Sequence, residues 1–132
     1  MNNPCVSILR YERDNETIKN AVETADAFAG LPANAHVVIK PNIVVWLDTP
    51  FPKWGVVTTS AVMEETVILL KEYGVKNISI VEGSLQLDPK TKQIGKRAFR
   101  GLGYEKLRDR YGVRLVDVWE RPFETMDIDD GI

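Results

Sequence analysis

Residues 36–60, HVVIKPNIVVWLDTPFPKWGVVTTS, decide how this chain is read. They begin with a short apolar run, residues 36–40, whose β-branched residues suit a strand. Pro41-Asn42 ends that run, and a 15-residue loop, 43–57, follows where about two to six residues suffice to join a strand to a helix. Thr58, Thr59 and Ser60 then open a helix carrying Val62, Met63, Thr66, Val67, Leu69, Leu70 and Tyr73, which closes at Gly74. Strand, long loop and helix in that order are the start of a β-α unit, and the long junction is where chemistry is usually placed.

The same alternation extends in both directions. Upstream, residues 5–11 (CVSILRY) read as a strand. Asp14 or Asn15 caps a helix with Ile18, Ala21, Val22, Ala25, Phe28 and Ala29 at helical spacing, stopped by Gly30 and Pro32. Downstream, residues 77–81 (NISIV) form a strand ending in Glu82-Gly83-Ser84. Asp88-Pro89 starts a helix through Ile94, Ala98 and Leu102, a shorter helix carries Tyr104, Leu107 and Tyr111 up to Gly112, and residues 113–118 (VRLVDV) make a fourth strand. The pattern predicts an α/β fold: a mainly parallel sheet of four or more strands with helices on both faces, a Rossmann-like three-layer sandwich. Residues 1–118 read as the α/β domain and residues 119–132 as an acidic tail leading into sequence beyond this chain. That arrangement leaves a sheet edge open to another copy or another segment, a route to a homo-oligomer.

Composition narrows the function. With 132 residues, 44% of them hydrophobic and 27% charged, the chain can build one core. A net charge of -2 argues against a generic nucleic-acid binder. No apolar run approaches the roughly 18 residues that span a bilayer, and no signal-peptide pattern opens the chain, so a cytoplasmic location is expected. Its one cysteine, Cys5, excludes a disulfide framework and cannot by itself hold zinc or an iron–sulfur cluster, which take about four ligands. With His36 as the lone histidine, read as structural, no metal site is expected. Phosphate-loop and dinucleotide fingerprints are absent, since Gly101-Leu102-Gly103 follows a helix instead of a strand.

Open parallel sheets bind ligands at the carboxyl ends of their strands. The residues there are Glu12, Arg13 and Asp14; Lys40, Pro41 and Asn42; Glu82, Gly83 and Ser84; and Asp117 with Trp119. A lysine and an amide suit a carboxylate or phosphate, and Thr58, Thr59 and Ser60 at a helix N-terminus suit the same anion. Lys40 equally suits a solvent-facing chain end, and the hydroxyls an ordinary cap. Glu82 is the candidate general acid/base, with a strand-end salt bridge as the alternative. Trp46, Phe51 and Trp54 in the long loop read either as a lid over the crevice or as a local hydrophobic cluster. Between Lys90 and Arg114 nine basic residues stand against two acidic ones, and from Asp117 onward six acidic residues stand against one basic. The basic stretch reads as a solvated helix face, or as a dock for an acidic partner or for the tail itself.

Taken together, V-V-I-K-P-N (37–42), Gly55, Thr58 and Thr59, E-Y-G-V-K-N-I-S-I-V-E-G-S (72–84), and G-Y-E-K-L (103–107) followed by G-V-R-L-V-D resemble the uncharacterised domain family 362. Members of that family are often named as iron–sulfur centre proteins. The resemblance covers nearly the whole chain and falls on Lys40, Pro41, Asn42, Thr59, Glu82, Gly83, Ser84 and Asp117. It implies an α/β domain, frequently joined to a ferredoxin-like module, in a redox-linked role, to which the polar strand-end residues add a small anionic ligand. Two features depart from the family pattern: the cluster cysteines are missing, and so is a later segment with the look of P-K-x-K-T-H. The chain resembles the N-terminal portion, and an iron–sulfur cluster would belong to sequence or a partner outside it. A non-catalytic module docking a ferredoxin-like partner is the alternative.

Overall fold

The computed structural model describes residues 5–12, 15–32, 34–47, 50, 55–85, 93–120, 122 and 124. They form helix α1 (Asn15–Thr24), strand β1 (His36–Ile39), helix α2 (Ser60–Glu72), strand β2 (Asn77–Glu82), helices α3 (Ile94–Gly101) and α4 (Tyr104–Tyr111), strand β3 (Arg114–Asp117) and a final 3-10 turn (Val118–Glu120). The strands make one parallel sheet in the order β1-β2-β3. Val37 lies opposite Ile78, Ile39 opposite Ile80, and Ile80 opposite Leu115.

Those residues share one face, because side chains alternate along a strand. Onto that face pack Met63, Val67 and Leu70 of α2, Ala98 and Phe99 of α3, and Tyr104 and Leu107 of α4, in a single cluster with Ile43 and Val57. Val67, Ile80, Ala98 and Tyr104 have no accessible surface. Each fully buried large aliphatic side chain of this kind stabilises the fold by about 1.5–3 kcal/mol. Gly74, with φ at 98°, supplies the left-handed residue that ends α2 and turns the chain into β2. The amide of Val75 closes the turn on Leu70 O at 2.9 Å.

The sheet departs from expectation in three respects. Among the described residues it has three strands, since residues 5–11 pair with none of them. That segment runs back along α1, with Cys5 Sγ donating to Thr24 O at 3.4 Å and the amide of Glu12 to Thr17 Oγ1 at 3.4 Å. Second, among the described residues the apolar core cluster draws on one face. The opposite face carries His36, Val38, Ser79, Val81, Arg114 and Val116, supplies no residue to that cluster, and leaves Val38 58% exposed although Ser79 is buried. Sequential right-handed crossovers place their helices on the same side of a sheet whose spatial order follows the chain, so one covered face is the outcome of this topology. Third, α1 stops at Thr24 instead of running to Ala29, and Asp26 turns the chain at φ 48°. The expected Asp88-Pro89 helix start lies outside the described residues. His36 Nε2 is 2.8 Å from Ser79 Oγ across the sheet.

Candidate functional site

The carboxyl ends of the strands bring together residues far apart in the chain. Glu82, the last residue of β2, is 8% exposed. Its Oε2 accepts from Lys40 Nζ at 2.9 Å and from the Ile43 amide at 3.2 Å, and its Oε1 accepts from the Gly83 amide at 2.8 Å. A carboxylate with three donors is a fixture of the backbone. The geometry therefore favours the salt-bridge alternative for Glu82. Lys40, by contrast, is 65% exposed at its side chain. An ammonium has three donors, and one is committed to Glu82, so the rest point away from a pinned position.

Asn42 and Thr58 clasp the two ends of the long loop. The Asn42 amide donates to Thr58 Oγ1 at 2.9 Å, the Thr58 amide to Asn42 O at 2.8 Å, and Asn42 Nδ2 to Val56 O at 2.9 Å. An antiparallel bridge between Ile43 and Val57 continues the closure. Beneath it the Tyr104 hydroxyl donates to Thr58 O at 2.7 Å. Burial, and then the nearby Glu82 charge, push the Tyr104 phenol far above its ordinary value. Thr59 is the N-cap of α2, but its hydroxyl does not cap the helix: Oγ1 is buried without a partner among the described residues, and Ser60 beside it is exposed.

Asp117 is the wall that residue-by-residue reasoning did not assign a role. It is 6% exposed, its Oδ1 accepts the Trp119 amide at 3.1 Å, and its Oδ2 is buried without a partner among the described residues. Its carboxylate lies against Gly95 in the first turn of α3, where any Cβ would overlap it. A helix N-terminus favours a carboxylate there. Ser84 is fully buried with Oγ unpartnered among the described residues, while its carbonyl accepts from Trp119 Nε1 at 3.0 Å. Gly83 is packed so closely by Val118 and Trp119 that a side chain would not fit. The signal in the sequence was an aspartate closing a strand and a glycine early in the preceding helix.

A family model, described as "Domain of unknown function (DUF362)", matches residues 37–132. The chain belongs to the DUF362 family. No curated protein and no solved structure matches it. The matched span of the DUF362 domain contains every residue named above, from Lys40 to Trp119.

Elsewhere in the DUF362 domain the expected lid is visible only at Trp46. Its indole lies on Gly101 at the α3–α4 junction and packs against the core, and Val44 O accepts the Leu85 amide at 2.9 Å. Phe51 and Trp54 lie outside the described residues. A cavity of about 580 Å³ between α2 and α4 is lined by Ser60, Glu64, Gly103, Lys106, Leu107 and Arg110, and one of about 210 Å³ reaches Asp117. Neither is lined by Lys40, Asn42, Glu82 or Ser84. The basic helices are partly neutralised within the chain: Lys96 pairs with Glu120 at 2.8 Å, Arg108 with Asp109 at 2.9 Å, and Arg110 with Glu64 at 3.0 Å. No helix among the described residues is long and apolar enough to cross a membrane.

Proposed function

We propose that this DUF362 domain binds a small ligand through an anionic group at the carboxyl ends of β1 and β2, as the α/β part of a redox-linked protein. The observation that carries the reading is Lys40. Its ammonium is held at the strand end by a buried carboxylate yet remains largely exposed, with donors left for a ligand. The uncapped start of α2, with Thr59 and Ser60, supports the same anion through free backbone amides. In this reading Lys40 binds, Glu82 positions Lys40, and Asn42 and Thr58 hold the loop base in place. Gly83 and Ser84 form the floor.

The redox link rests on the family resemblance. A cluster takes about four thiolates, and this chain offers Cys5 alone, exposed and bonded to Thr24 O, so its own residues do not fit one. A ferredoxin-like domain or partner would have to bring it. Docking of an acidic partner on α3 and α4 is the less supported reading, because Lys96, Arg108 and Arg110 already have carboxylate partners.

Thermal shift and isothermal titration against inorganic phosphate, acetate and citrate test the anion reading. At least one should raise the melting temperature of the wild-type chain, and Lys40→Ala should abolish that shift while leaving the unliganded melting temperature within a degree or two. No shift with any of the three, or a shift that survives Lys40→Ala, removes Lys40 as the binding group.

A further inference from the structure

The segment 5–11 has the residue content of a strand and the exposure of one that lacks a neighbour. Val6 is 81% and Ile8 90% exposed, and Leu9 and Tyr11 near them are 46% and 37% exposed. Apolar side chains of a strand normally face a packed surface. The segment is tethered at both ends to α1, through Cys5 to Thr24 and through Glu12 to Thr17, and among the described residues pairs with no strand of the chain's own sheet.

The sheet has the complementary defect. β1 pairs with β2 on one side and with no strand on the other among the described residues. This outer strand exposes Val38, a β-branched residue suited to a cross-strand apolar pair. Unpaired edges are templates for strand addition, and proteins usually blunt them. The other edge, β3, keeps Leu115 and Val116 partly covered, so β1 is the better acceptor.

We propose that residues 5–11 of one copy add as a strand to the free edge of β1 in a second copy, and reciprocally. Donor and acceptor sit in one chain, and the reciprocal form of the exchange is isologous, so it closes as a two-fold dimer. The occupant is a second copy because the donor strand and the free edge it fits are both present on each.

Light scattering on a sizing column and hydrogen exchange of the 132-residue chain test this. The expected mass is twice 14.9 kDa, falling to one chain on dilution, with residues 6–10 and His36–Ile39 protected in the dimer. Ile8→Asp places a charge on the apolar face, and Ser7→Pro removes a ladder donor from a segment outside every helix and strand. Both should give monomers with an unchanged far-ultraviolet spectrum, and exchange in these two regions at least tenfold faster. A wild-type monomer at all concentrations overturns the proposal. So does a dimer that survives both variants, protection at Arg114–Asp117 in place of His36–Ile39, or protection of residues 6–10 in the monomer. The exchange map of the wild-type chain decides the matter even if a variant fails to fold.

Discussion

Glu82 is the residue on which the strand ends depend. Its three donors arrive from the end of β1, the start of the long loop and the residue that leaves β2. Removing a buried acceptor strands the amides that used it, at about 1–3 kcal/mol each. Glu82→Ala should therefore lower unfolding free energy by about 2–5 kcal/mol in urea titration, with Glu82→Gln losing about half as much because one oxygen remains. Tyr104 makes a pH prediction. Its phenol titrates above its ordinary value of 10.0 in the folded chain, through burial and then Glu82. A group whose folded value is raised stabilises the fold fully below the unfolded value and loses that contribution as pH rises beyond it. Melting temperature should fall as pH is raised above about 10, and Tyr104→Phe should flatten that fall at the cost of the bond to Thr58 O.

The elements were largely legible. The apolar period gave α2, α4, β2 and β3 to within a residue or so, because each is bounded by a local stop such as Gly74 or Gly112. What escaped was set at long range. The partnership of Lys40 with Glu82 spans the sheet, and that of Asn42 with Thr58 spans the loop, so no window of sequence contains either pair. Helix α3 shows the same limit: its second residue is glycine because Asp117, on a different element, fills the space a side chain would take. Gly95→Ala should destabilise the domain by about 1–3 kcal/mol by displacing that buried carboxylate, although alanine is ordinarily the better helix former. Chemical denaturation of the variant beside wild type checks it; a stabilising effect would mean that Asp117 yields without loss.

At the scale of the whole molecule, the α/β class was readable from alternation alone, and the number of covered faces was not. Alternation says that helices cover the sheet; only the spatial order β1-β2-β3 says that they share a side. The first strand was misplaced for a related reason. Residues 5–11 have strand propensity, but a strand is a pairing, and propensity does not name the partner. Spatial order that repeats chain order has another consequence. As synthesis proceeds from the N-terminus at about 5–20 residues per second, β1 emerges first, β2 can pair with it at once, and β3 then docks on β2. Among the described residues no strand waits for a later one to be inserted beside it, so these three strands can assemble by accretion at a single moving rim while the ribosome is still extending the chain.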